Sequence, residues 1–240
     1  MKKLLSIAVA SLALAAVADS FSPNIGVTTL QLTRKNNVIP VQYTSLADNG
    51  AITADALVCT NNIEAGSHLY IFQGDSYTAW TLGSSGWEKI DVSSTKPDGI
   101  SAAAPDANQT LATGSAIWLS FKDAPTSAKL VSIYGAVADG ISSTIVAGTT
   151  EKPVSSLVCN LTNSSVTSQA LTEKLAKLNP ENGDKIQFLG ESSYNGYYNY
   201  NGSNWEKIEG TEFKEGLDKG LGAYEGFWYV SVGGAGTITW

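Results

Sequence analysis

The chain repeats itself, and the repeat limits its fold more than any single residue does. Gly83-Ser-Ser-Gly-Trp-Glu-Lys-Ile90 returns as Asn201-Gly-Ser-Asn-Trp-Glu-Lys-Ile208. Leu111-Ala-Thr-Gly-Ser-Ala-Ile-Trp118 returns as Leu221-Gly-Ala-Tyr-Glu-Gly-Phe-Trp228. Gly26-Val-Thr-Thr-Leu30, with Ser45-Leu46 after it, returns as Gly140-Ile-Ser-Ser-Thr144 with Asn160-Leu161. The anchors keep their order at displacements of 110 to 118 residues, and only loop lengths change. Duplication of one supersecondary unit produces this pattern.

Within each copy the local signals are those of short strands. Residues 25–33 and 38–46 read as a strand pair, with a turn at Asn36-Asn37, and 141–147 and 154–161 read as their counterparts. Ser67 to Gln73 alternates Leu69 and Ile71 against His68, Tyr70 and Phe72, the period of a half-buried strand. Further strands follow at 77–82, 87–92, 116–121 and 128–134, and in the second copy at 185–189, 194–200, 204–208, 226–232 and 237–240. Asn201-Gly202 between two such runs is a strong hairpin signal. One helix per copy is expected. Leu171, Leu175 and Leu178 fall on one helical face, with Thr167 or Ser168 as cap and Asn179-Pro180 as stop. The matching stretch in the first copy, 52–58, is shorter. The expectation is an all-β protein with one short helix per unit. It would form two tandem small sandwiches or partly open barrels, residues 19–130 and 131–240.

The N-terminus reads as a secretory signal, residues 1–18. Lys2 and Lys3 precede an apolar run, Leu4 to Leu14, which is too short to span a bilayer of about 30 Å. Ala16-Val17-Ala18 supplies an A-x-A cleavage site, so the mature chain is expected to begin at Asp19 and to be exported to the periplasm, cell surface or medium. No later run predicts a membrane helix. The formal charge is −7, and becomes −9 once Lys2 and Lys3 are removed. An acidic chain without clustered Lys and Arg is not read as a nucleic-acid binder. Cys59 and Cys159 occur in similar Leu-Val-Cys contexts, but the Trp anchors set Cys159 opposite Thr44 instead. In an oxidising compartment an interdomain disulfide is one reading. Two buried free thiols is the reading taken.

The repeated pattern resembles a family of exported, tandem-repeat, β-rich bacterial proteins associated with Verrucomicrobia-like genomes. Val41 to Leu46, Gly66-Ser-His-Leu-Tyr-Ile71, Gly183-Asp-Lys-Ile-Gln-Phe188, Trp87, Trp205, Tyr224-Glu-Gly-Phe-Trp228 and Leu130-Val-Ser-Ile-Tyr-Gly135 are similar to its elements. Ala116 departs from it where a glycine is expected, and the second copy ends at Trp240 without the closing glycine. The resemblance implies fold and export, and carries no activity, cofactor or catalytic residue.

The chemistry-bearing residues do not assemble into a catalytic pattern. The chain has a single histidine, His68, and its repeat partner is Lys185, which reads as a solvated strand face. Glu88 and Glu206 match across the repeat, giving two lone carboxylates instead of the pair that glycoside hydrolysis uses. Asn179-Pro-Glu-Asn-Gly-Asp184 has oxygen ligands around a glycine but lacks the spacing of a calcium loop, and reads as a turn. No metal, cofactor or enzymatic activity is expected.

The best lead is the second-copy hairpin, where Tyr194, Tyr197, Tyr198, Tyr200 and Trp205 crowd together. Tyr198 and Tyr200 share a face. Rings there could stack on sugars while Asn195, Asn199 and Asn204 supply hydrogen bonds. Packing of these rings into a core is the competing reading. The expected function is that of a non-catalytic exported structural or interaction protein. A glycan-binding module on this hairpin is the alternative.

Overall fold

The computed structural model describes residues 24–48, 50–73, 76–90, 102–105, 110–189, 194–209 and 212–240. The expected signal segment lies outside the described residues. In chain order the first elements are β1 (Ile25–Leu32), β2 (Asn36–Pro40), β3 (Tyr43–Thr44), β4 (Ile52–Thr53), the one-turn helix α1 (Ala54–Leu57), β5 (His68–Gln73), β6 (Ser76–Leu82), β7 (Trp87–Ile90), β8 (Ala102–Pro105), β9 (Thr110–Leu111), β10 (Ala116–Ser120) and β11 (Lys129–Val137). They are followed by β12 (Ser142–Ile145), β13 (Val154–Cys159), the helix α2 (Ser168–Ala176), β14 (Lys185–Leu189), β15 (Tyr194–Tyr200), β16 (Trp205–Glu209), β17 (Glu212–Glu215), β18 (Gly226–Ser231) and β19 (Gly236–Thr239). The protein is all-β in class, built from antiparallel sheets, and among the described residues none of them closes into a barrel.

Two six-stranded sheets dominate. The first has the spatial order β2-β10-β5-β6-β7-β8, and the second β13-β18-β14-β15-β16-β17. Taken position by position, the two orders use the same sequence of connections. β1 pairs with β11 beside the first sheet, and β12 pairs with β19 beside the second. The register fixes individual equivalences. Trp118 lies opposite Val38 and Tyr70, and Trp228 lies opposite Leu157 and Gln187. Leu82 faces Trp87 as Tyr200 faces Trp205.

Alternation explains how each sheet buries one face. In the first sheet Ile39, Leu69, Ile71, Trp80, Leu82, Trp87, Ile117 and Leu119 enter a core closed by β1, β11 and α1. In the second, Val158, Ile186, Phe188, Tyr198, Trp205, Phe227 and Tyr229 enter a core closed by β12, β19 and α2. Thr167 caps α2 by accepting from the Ala170 amide at 3.2 Å, and Leu171, Leu175 and Leu178 are fully buried. Asn179 ends this segment in the left-handed region, with φ 48°, ahead of Pro180.

The opposite faces of β2, β10 and β5 meet those of β13, β18 and β14 in a third apolar cluster. Val38, Ala116, Leu157, Cys159 and Trp228 form it, and Phe72 and Trp118 pack on it. Phe72 meets Trp228 edge-on with ring centroids 4.4 Å apart. Gly114 is required nearby: a Cβ there would fall 1.8 Å from the Ser142 carbonyl, and its φ is 92°. Ser143 donates to the Gly114 carbonyl, and the Trp240 indole N–H donates to Ser143. Ser143 therefore ties β12 to the turn before β10, and Trp240 holds the same hydroxyl.

Several boundaries differ from expectation, each for a physical reason. The run 38–46 is not one strand. Pro40 cannot donate to a ladder, and the chain leaves the large sheet there to enter the small one as β3. The turn before β2 lies at 33–35, and Asn36 and Asn37 are in the strand. The expected division after residue 130 falls inside β11, whose residues 129–136 all pair with β1, so the first β set extends to Val137. Cys159 occupies the place of Pro40 and not of Thr44, since Gly226 faces Cys159 as Ala116 faces Pro40. Both cysteines are free thiols, Cys159 buried and Cys59 only half-buried. Cys159 donates to the Tyr224 carbonyl at 3.2 Å, and burial pushes its thiol well above the ordinary range.

Candidate functional site

The aromatic hairpin of β15 and β16 does not form a platform facing solvent. Tyr198 and Trp205 are buried, at 1% and 4% exposure, and Tyr200 is half-buried against the same core. The inward face of this hairpin is the shared face of Tyr198 and Tyr200. Tyr198 meets Phe188 edge-on at 5.6 Å, and Tyr200 lies 5.2 Å from Trp205. The Tyr198 hydroxyl donates to Asp218, whose other oxygen pairs with Lys207 at 3.0 Å. The hydrogen bond from Tyr198, then that from Lys207, holds the Asp218 carboxyl below the usual carboxylate range. Burial, with Asp218 beside it, pushes the phenol of Tyr198 up. Tyr197 and Asn199 lie half-buried on the outer face, where the Lys185 ammonium sits 5.6 Å from the Tyr197 ring. Tyr194 is in β15, with its side chain outside the described residues, as is that of Asn195. Asn204 is exposed in the turn, where its amide donates to Asn201.

Among the described residues Tyr77 alone of the rings is exposed, and it lies on the outer face of the first sheet beside rings that are half-buried. His68, Tyr70 and Phe72 alternate with the buried Leu69 and Ile71 and share the outer face of β5. Tyr77, opposite Phe72 on β6, is 45% exposed. His68 stacks on Tyr70 with centroids 6.1 Å apart and planes 30° apart, and Tyr70 meets Tyr77 edge-on at 5.9 Å. Phe72 is 5.8 Å from Tyr77. The row thus begins at the junction with Trp228 and runs out to His68. Ser120 and Thr81 flank His68 from the two neighbouring strands, and Glu88 follows Thr81. Burial, then the charge of Lys35, lowers the His68 imidazole, which favours its neutral form. Burial, then Tyr77, pushes the Tyr70 phenol up.

Such a surface offers π-faces for stacking with hydroxyl groups at the margin. The signal for it was present in the sequence as three rings at alternate positions, 68, 70 and 72. Pairing His68 with Lys185 across the repeat led instead to a solvated face. The comparison misleads because the outer faces of the two sheets have diverged: Tyr70 corresponds to Gln187, and Thr81 to Asn199.

The remaining candidates are structural. The Asp184 carboxylate is fully buried and accepts from the Tyr229 hydroxyl at 2.7 Å and from the amides of Glu181, Val232 and Gly234. It points into the fold and closes the turn that resembles a calcium loop. Glu206 accepts from the Asn201 side chain. Among the described residues no group of three His, Cys, Asp or Glu side chains could hold a metal ion. Among them, too, no helix is long and apolar enough to cross a membrane.

Comparison with family models, with curated proteins and with solved structures finds no match for this chain.

Proposed function

We propose that the protein is a non-catalytic exported interaction protein of the bacterial cell surface or extracellular space, and that it engages a neutral glycan through the ring row of β5 and β6. The observation that carries this reading is the run His68, Tyr70, Tyr77: three adjacent rings on an outer sheet face, with hydroxyls beside them. Pyranose rings present apolar C–H faces and equatorial hydroxyls, which suits stacking with peripheral hydrogen bonds. Export rests on Lys2, Lys3, the apolar run 4–14 and Ala16-Val17-Ala18. The matching strand orders of the two sheets support descent from one duplicated β unit, the organisation implied by the resemblance to exported tandem-repeat proteins.

A glycan array probed with the mature chain tests the reading, followed by calorimetry on any hit at two ionic strengths. Stacked sugars bind weakly, so the expected Kd is micromolar to millimolar, about −8 to −4 kcal/mol, with little salt dependence. Tyr77→Ala should abolish the signal and Tyr197→Ala, on the other sheet, should leave it. Loss with Tyr197→Ala and retention with Tyr77→Ala would refute the assignment.

A further inference from the structure

A cleft of about 310 Å³ opens where the first β set meets the loop that leads into β18. Six consecutive residues of the first set, 29–34, line it, and Asn36, Lys219, Tyr224 and Glu225 are among the others. An opening over one face of a strand is lined by alternate residues, because successive side chains point to opposite sides. Consecutive lining by Thr29, Leu30, Gln31 and Leu32, the last four residues of β1, means that the cleft runs along the strand's edge. No residue of β11 lines it, so it is the edge turned away from β11.

The register shows which backbone groups reach that edge. The Val137 amide donates to the Asn24 carbonyl, so 24/137 is a hydrogen-bonded pair, and every second pair after it is one too. Thr29 and Gln31 fall between, and their N–H and C=O groups point away from β11. Ser132, opposite Thr29, confirms the phase: its carbonyl accepts from Cys59 on the far side of β11. Among the described residues, no backbone partner engages the outward groups of Thr29 or Gln31.

The opposite wall is preformed. The Gly222 amide donates to the Glu225 carboxylate at 2.9 Å, the Glu225 amide to the Gly222 carbonyl, and Tyr224 between them takes φ 57° with its ring against the first core. Such a backbone in a bulky residue persists only where its surroundings hold it. Arg34 donates one guanidinium nitrogen to the Leu189 carbonyl, and Lys219 lies over Phe188. Arg34 and Lys219 thus bring two cationic side chains to the lining, against one carboxylate already engaged by an amide, in a chain whose net charge is −7.

We propose that the open edge of β1 is a binding site for an extended peptide, which adds as a further strand and sets an acidic side chain against Arg34 and Lys219. Main-chain bonds to Thr29 and Gln31 would supply affinity, and the two cations the preference for charge.

The test uses the mature chain and a blocked, alternating Thr–Val peptide of eight residues with one central Asp. It is compared with the Lys counterpart and with a version N-methylated at alternate amides. Fluorescence anisotropy should give a Kd of about 10 to 500 micromolar for the Asp peptide, and binding at least about tenfold weaker for the other two. Gln31→Pro removes an edge donor that the β1–β11 ladder does not use, which edge strands tolerate, and should weaken the Asp peptide to the same degree. Arg34→Gln with Lys219→Gln should erase the difference between the Asp and Lys peptides. If Gln31→Pro does not fold, the N-methylated peptide on the natural chain decides. No binding of the Asp peptide at about 1 millimolar, or equal binding of methylated and unmethylated peptides, overturns the proposal. So does dimerisation that Gln31→Pro abolishes without any peptide effect, which would assign the edge to a second copy.

Discussion

The two six-stranded sheets share strand order but divide their rings differently between core and outer face. In the first, the core face carries mostly aliphatic side chains with Trp80 and Trp87, while His68, Tyr70, Phe72, Tyr77 and Trp118 stand on the outer face. In the second, Phe188, Tyr198, Trp205, Phe227 and Tyr229 fill the core, and the positions matching His68 and Tyr70 hold Lys185 and Gln187, while Tyr197 and Trp228 keep two rings on that outer face. A pleated framework fixes which positions share a face. It does not fix whether a ring there is needed for volume or is free for contact. Trp118 and Trp228 show a third use, since these equivalent residues lie 5.8 Å apart between the sheets.

The largest expected effect tests whether the cores are equivalent. Trp87→Ala and Trp205→Ala each remove a buried indole from the same place in its sheet, and each should cost about 3 to 5 kcal/mol in equilibrium denaturation. A loss below about 1 kcal/mol for one of them would break the equivalence.

The junction should separate the other pair of tryptophans. Trp228 is 6% exposed and contacts both Phe72 and Trp118, whereas Trp118 is only half-buried. Trp228→Ala should therefore cost about 2 to 4 kcal/mol, and Trp118→Ala at least about 1 kcal/mol less. The reverse order would mean that the junction is anchored from the first sheet.

The inward hairpin face has a hydrogen bond that titrates. Tyr198→Phe should cost about 1 kcal/mol or less, because Asp218 is largely exposed. The carboxyl of Asp218 is lowered in the folded state, so its stabilising contribution is present above the unfolded carboxylate range and is lost as pH falls through the folded value. Thermal melts between pH 6 and about pH 3 should show a shallower acid decline for Tyr198→Phe than for the natural chain.

The smallest effect on stability belongs to the outer rings. Tyr77→Ala should change unfolding free energy by no more than about 0.5 kcal/mol while removing the glycan binding proposed for this face. A cost well above that would make Tyr77 a packing residue and withdraw the contrast between the two faces.

Much of the local structure was legible. Leu171, Leu175 and Leu178 announced α2, Asn201-Gly202 the β15–β16 turn, and the alternation of 68–73 the two faces of β5. The hairpin rings illustrate what was not. Periodicity correctly put Tyr198 and Tyr200 on one side of β15, but nothing local says which side meets α2 and β19. The same limit applies to Pro40, where the chain changes sheets, and to the division near residue 130, which lies within a strand held by β1.

The sequence by itself determined the all-β class and the sets of side chains that travel together, but not β4, β8, β9 or β17, which lie in stretches read as helix or loop. The class and those sets follow from backbone sterics, capping and a period of two, which act over a few residues. Only the tertiary structure decided which set is buried. The pairing of β1 with β11, about a hundred residues away, leaves the outward amides of Thr29 and Gln31 at an open edge. The meeting of Phe72 with Trp228 turns one end of the ring row into a junction and leaves His68, Tyr70 and Tyr77 beyond it. Burial depends on what covers a face, and here the cover comes from distant parts of the chain.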